Sequence, residues 1–149
     1  MLIRSYQPSD LPQVLYLHRV AMEEVGAYKG DGPWDDDLKD IITHYQEGAF
    51  LVMEQEDKIM AMGAFKPSEE NLAEVKRMRV LPSAQGAGLG KKIYFELEKK
   101  AIELGYKGFH LETSELQTSA QQLYQKVGFN EYNRMVIDGY NCVLFKKIF

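Results

Sequence analysis

Apolar residues recur with two different periods along the chain, and the switches between them mark the elements. Leu89, Ile93, Leu97, Ala101 and Leu104 fall on one side of a helix. Leu11, Val14, Leu15, His18, Ala21, Met22 and Val25 trace another helical face, after a start signal at Pro8-Ser9-Asp10. Leu38, Ile41, Ile42 and Tyr45 predict a helix opened by Asp35, Asp36 and Asp37, whose charges suit its positive end. Ala120, Leu123, Tyr124 and Val127 predict a short one from Gln117 to Lys126. Strand-like runs fill the rest: Met1 to Tyr6, Ala49 to Glu54, Lys58 to Phe65, Leu72 to Leu81, Gly108 to Thr113, Phe129 to Ile137 and Tyr140 to Phe149. The order is β-α-α-β-β-β-α-β-α-β-β. A strand, helix, strand passage through Gly105 predicts a parallel pair joined by a right-handed crossover. Asp138-Gly139 predicts the closing hairpin. Alternation along Leu72 to Leu81 puts Glu74, Lys76, Met78 and Val80 on one face.

Composition narrows the class. A chain of 149 residues, 45% hydrophobic, is long enough to bury a real core and predicts a single domain over 1–149. Its net charge of −4 argues against a nucleic-acid partner, which calls for a basic face. One cysteine, Cys142, excludes an internal disulfide and fits a reducing compartment. The start of the chain lacks a signal-peptide layout, and no apolar run reaches membrane-spanning length. The expectation is a cytoplasmic protein with no membrane partner. No metal-spaced set of ligands is found.

The stretch Val80 to Leu104 carries the chemistry. A strand ends at Pro82, a loop holds Gly86, Gly88 and Gly90, and an amphipathic helix follows directly. The first turn of a helix has amides with no partner inside it, at its positive end. Glycines let a ligand approach that backbone, so a phosphate or diphosphate is the natural occupant. Two common nucleotide patterns do not fit. Gln85 and Lys92 stand where the P-loop needs Gly and Ser or Thr, and Lys91 stands where the dinucleotide pattern needs its last Gly.

What remains, Gln85-Gly86-Ala87-Gly88-Leu89-Gly90 preceded by Val80-Leu81-Pro82, resembles the acetyl-CoA signature of the GNAT-family N-acetyltransferases. A second run, Gln117-x-x-Ala120-x-x-Leu123-Tyr124-x-Lys126-x-Gly128-Phe129, is similar to the C-terminal motif of the same family. The resemblance covers the whole chain. It implies a mixed α/β (α+β) fold with a central mixed sheet of about seven strands flanked by four helices. It implies acetyl-CoA as co-substrate, no metal, and transfer of the acetyl group to a primary amine of a small molecule or protein. It places the diphosphate on the amides of Gln85, Gly86, Ala87, Gly88, Leu89, Gly90 and Lys91, and the pantetheine arm along Met78, Arg79 and Val80. Gln117 takes the place of a cofactor-contacting Asn. Tyr124 matches the tyrosine that protonates the departing thiolate. In the histone-acetylating branch the base stands six residues before the Val or Ile that opens the signature, and Glu74 stands six before Val80. A salt bridge to a neighbouring Lys or Arg explains Glu74 equally well. The resemblance admits a homodimer paired through the C-terminal strands.

Other residues have a structural and a chemical reading. His18 is a core-edge histidine or a base. The acidic triplet favours a helix start or forms a lip that attracts a cationic amine, with Tyr28 and Trp34 nearby as pocket or packing residues. Cys142 has no neighbour that would lower its pKa. A non-catalytic acetyl-CoA sensor and a protein-binding module remain open beside the enzyme. Nothing in the sequence identifies the acceptor.

Overall fold

The computed structural model describes residues 1–149. In chain order the strands are β1 Leu2–Ser5, β2 Ala49–Gln55, β3 Lys58–Pro67, β4 Leu72–Val80, β5 Gly108–Ser114, β6 Asn130–Ile137 and β7 Tyr140–Ile148. The helices are α1 Leu11–Glu24, α2 Ile41–His44, α3 Leu89–Glu103 and α4 Thr118–Lys126. The strands form one seven-stranded sheet in the order β1-β2-β3-β4-β5-β7-β6. Only β4 and β5 run parallel, across the α3 crossover.

Two cores sandwich the sheet. On one face α3 buries Leu89, Ile93, Tyr94 and Leu97 against Phe65, Phe109 and Phe145. On the other, Val14 and Leu17 of α1 pack with Leu38, Ile41, Val52 and Met62. Each such burial contributes about 1.5–3 kcal/mol, so the start of α3 is held rigidly beside the end of β4. Leu104, expected on the α3 face, is exposed just past the helix end, and Leu17 rather than Leu15 carries the inner face of α1.

The helix expected from Asp35 to Tyr45 is broken in two. Pro33–Lys39 forms a 3₁₀ segment with a kink at Asp35, and α2 is a single turn. Asp35 and Asp37 both bind Arg77. Residues two apart do not share a face of an α-helix, so the segment departs from helical geometry to bring both carboxylates to one guanidinium.

Strand β4 also departs from its expected alternation. Met62 lies opposite Arg79 and Ala64 opposite Lys76, so Arg77 and Met78 together face Gly63. This is a β-bulge, and Arg77 has the left-handed φ of 61° there. A Cβ on Gly63 would lie 2.4 Å from the Met78 sulfur, so only glycine leaves room for the extra residue. Before the bulge Ala73 and Val75 face α3, and after it Met78 and Val80 do. Glu74 and Lys76 therefore lie on the opposite face from Met78 and Val80, not beside them. Arg77 and Arg79 turn toward α1.

The parallel ladder between β4 and β5 stops early. It pairs Leu72 with Gly108, Ala73 with Phe109 and Glu74 with His110, then ends. Beyond it β4 stays bonded to β3 as far as Val80, and β5 to β7 as far as Ser114. The two halves of the sheet part there, and the gap opens on the candidate site.

Candidate active site

Between β4 and α3 the chain passes through a 3₁₀ turn, Pro82–Ala84, and the glycine-rich turn. Gly86 and Gly88 have φ of 86° and 75°, and a Cβ on either would meet nothing within 4 Å. Their role is backbone shape, and they face open space. The first hydrogen bond of α3 runs from Lys92 N–H to Gly88 C=O. The amides of Gly86 to Lys91 thus have no backbone acceptor and lie at the positive end of a 15-residue helix. A cradle without side chains, rimmed by unpaired donors, fits a diphosphate. Leu89 can offer only its amide, since its side chain is in the core. Gly90 approaches Leu123 of α4. Ala87 is exposed between the two turn glycines.

This turn borders a hollow of about 410 Å³, which also takes in Met78, Arg79, Val80, Gln85, Lys91 and Tyr124. A second hollow of about 400 Å³ adjoins it, among Lys66, Glu74, Lys76, Glu112 and Asp138. The two share Met78, Arg79, Gln117 and Tyr124. The sequence-predicted cofactor and catalytic residues are thereby brought together, except that Ala87 borders neither hollow and Glu74 only the second.

Tyr124 is held by α4 with its ring against Phe129 and Phe145. Burial pushes its phenol well above the ordinary range, and the charge of Arg79 draws it back only in part. At neutral pH it keeps its proton, as a donor requires. Gln117, at the N-cap of α4, accepts hydrogen bonds from Ser114 N–H at 3.1 Å and from the Thr113 hydroxyl at 3.3 Å. Its amide NH₂ remains for a ligand. Glu74 makes no salt bridge, so the proposed structural pairing with a neighbouring Lys or Arg is not what holds it. Glu112 faces the same hollow, and its carboxyl is pushed up by burial and then by the charge of Glu74.

Each member of the acidic triplet has a cationic partner, and Asp36 and Asp37 border the second hollow in that paired state. Arg77 donates to Asp37 Oδ2 at 3.0 Å, to Asp35 Oδ1 at 3.0 Å and to the Trp34 carbonyl at 2.7 Å. Tyr45 O–H donates to Asp37, and Asp36 pairs with Lys39. Burial alone would raise the Asp37 carboxyl, but the hydrogen bonds and charge of Arg77 outweigh it and hold it down to about 2. His18 Nε2–H donates to Asp35 at 3.2 Å, and burial lowers the imidazole so that it is neutral at pH 7. Its Nδ1 is buried without a partner. This network ties α1, the 3₁₀ segment and the β4 bulge together. Beside it a smaller hollow of about 150 Å³ holds Tyr28, Trp34, Tyr140 and Cys142. Lys29 lies over the Trp34 ring at 4.9 Å and the Tyr140 ring at 4.3 Å. Burial pushes the Cys142 thiol up. No three His, Cys, Asp or Glu side chains converge as metal ligands, and no helix is long and apolar enough to cross a membrane.

Sequence reasoning missed Arg77, Gly63 and Glu112. Lys76-Arg77 in a strand next to a glycine-rich turn carried no signal of a bulge. Glu112 could have been found from alternation in β5, since it shares the face of His110 on the strand that parallels Glu74.

The model of the acetyltransferase (GNAT) family matches residues 12–129. The chain is 32% identical over 127 residues to the uncharacterized N-acetyltransferase YjgM of Escherichia coli, covering 80% of this chain and 76% of that one. Its fold is similar to that of an acetyltransferase from Streptococcus agalactiae, with a TM-score of 0.89, 19% identity and coverage of 99% and 98% of the two chains. It is also similar to yncA from Salmonella typhimurium, solved with its cofactor acetyl-CoA, with a TM-score of 0.81, 18% identity and coverage of 99% and 93%. A glycine turn with free amides, a sheet that parts beside it and a match across most of the chain lead to one conclusion: this protein is an N-acetyltransferase of the GNAT family.

Proposed function

We propose that this enzyme moves the acetyl group of acetyl-CoA to a primary amine held in the same cleft, without a covalent enzyme intermediate. Acetyl-CoA supplies the acetyl group as an activated thioester. The free amides from Gly86 to Lys91 hold its diphosphate, while the Gln85 amide bonds back to the Pro82 carbonyl, and the edge of β4 from Met78 to Val80, freed where the ladder with β5 ends, holds its pantetheine arm. Gln117 offers its NH₂ group there. The acceptor enters the second hollow, lined by Glu74 and Glu112. Glu74 takes a proton from the amine, directly or through water, and Tyr124 gives one to sulfur. Bringing both substrates to one place supplies several kcal/mol of the rate gain.

One observation carries this reading. Tyr124 borders both hollows, with a buried phenol that keeps its proton. The experiment is Tyr124→Phe, followed by thiol release over an amine panel and by calorimetric titration of acetyl-CoA. Turnover falls about 100-fold while cofactor affinity stays within about twofold. Equal loss of both would assign Tyr124 to binding instead.

A further inference from the structure

Resting on that reading of the cleft, we infer that the acceptor amine also carries an anionic group, a carboxylate first of all, and that the Arg79 side chain recognises it. Arg79 is the one arginine of the site region without a carboxylate partner. Its neighbour Arg77 is paired with both Asp35 and Asp37. Arg79 forms no salt bridge, its only hydrogen bond runs from one terminal nitrogen to the carbonyl of adjacent Met78 at 2.9 Å, and its Nε is buried with no partner. Asp35 and Asp37 favour its charge from a distance, but they are engaged by His18 and Arg77. Burial and the like charge of Arg77 outweigh them. The residue is half-buried, but its Nε–H is cut off from water with nothing to donate to, and an incoming anion supplies that missing acceptor at close range.

Its location selects the acceptor rather than the diphosphate. The bulge at Arg77 is what turns Arg79 off the α3 face and toward α1. There it borders both hollows alongside Tyr124, whereas the turn with the free amides of Gly86 to Lys91 borders only the cofactor hollow. The unpaired carboxylates Glu74 and Glu112 line the acceptor hollow beyond it. Lys66 and Lys76 line that hollow as well, but not the cofactor hollow, so Arg79 is the cation at the junction itself, while Glu74 and Glu112 offer partners for an ammonium farther out.

The test compares amino acids with their decarboxylated counterparts: tyrosine with tyramine, histidine with histamine, lysine with cadaverine. The ratio of kcat/KM for the carboxylate-bearing member over its partner is measured in wild type, Arg79→Gln and Arg79→Lys, with acetyl-CoA affinity measured separately. Wild type favours at least one amino acid over its amine by about 10-fold to 100-fold. Arg79→Gln brings that ratio close to one, and Arg79→Lys keeps part of it. The same pairs are titrated into the CoA-loaded enzyme, so that binding is read without turnover. Arg79-dependent binding of an amino acid without thiol release would count against the proposed transfer and leave this inference standing. A preference for the decarboxylated amines, a ratio unchanged in Arg79→Gln, or no binding by any carboxylate-bearing member overturns it. So does a loss of acetyl-CoA affinity in Arg79→Gln with the acceptor ratio intact, which would assign Arg79 to the cofactor.

Discussion

The two hollows that meet at Tyr124 are built by different means. The cofactor side is centred on the contiguous stretch from Met78 to Lys91, completed by α1 and α4, and in the proposed reading its backbone amides at the turn and helix start hold the diphosphate. The acceptor side is assembled from side chains on β3, β4, β5, the 3₁₀ segment and the β6–β7 turn. A backbone site tolerates changes in most side chains but depends on glycine conformation. A side-chain site depends on ion pairs made between residues some 40 positions apart. The first can serve the same ligand in many proteins of a family, while the second can vary with the acceptor.

That contrast can be broken most forcefully at Arg77. Arg77→Met leaves buried Asp37 without its cationic partner and half-buried Asp35 with His18 alone, and removing one member of a buried pair costs about 3–5 kcal/mol. Thermal or denaturant unfolding should show this loss. The acceptor KM should rise in any fraction that folds, with acetyl-CoA affinity changed far less. Equal loss on both sides would mean the hollows are not independently built.

Acid probes the same network. Asp37 is held down to about 2 in the folded protein, well below its unfolded value of 3.8. The stability it contributes is therefore present above pH 4 and lost as pH falls toward 2, by about 2 kcal/mol. Asp35 and Asp10 are lowered too and add to the loss. Denaturant midpoints between pH 5 and 2 measure it, and the Arg77→Met variant should show a flatter curve.

On the cofactor side, Gly88→Ala keeps space for the new methyl but places it at a left-handed φ, at a cost of about 1–2 kcal/mol. Acetyl-CoA affinity should weaken about tenfold, with the acceptor KM little moved. The smallest effect concerns the base. Glu74→Gln should lower turnover by about tenfold and shift its rise with pH, because Glu112 lies in the same hollow and its raised carboxyl can take over part of the work. No change in rate or pH profile in Glu74→Gln would remove Glu74 from the mechanism.

The same division explains what could be read from the sequence. The order of elements along the chain, the α3 crossover, the glycine turn and Tyr124 on the inner face of α4 all rest on local periodicity and turn chemistry, and the structure has each of them. The faces of β4 were misread because a bulge inserts one residue, and one residue inverts a period of two. Its cause lies on another strand, at Gly63, which gives way to Met78. The acidic triplet was misread for a similar reason. Three aspartates before an apolar run look like a helix start, and nothing local tells that two of them answer to an arginine on β4.

The central claim is that the amides from Gly86 to Lys91 hold the diphosphate and that the far end of the same ligand reaches Tyr124. A crystal structure of the enzyme with CoA tests both ends at once. Diphosphate oxygens about 3 Å from those amides, with the sulfur beside the Tyr124 hydroxyl, is the predicted result. CoA bound elsewhere with those amides left to water, or the sulfur remote from Tyr124, would contradict it.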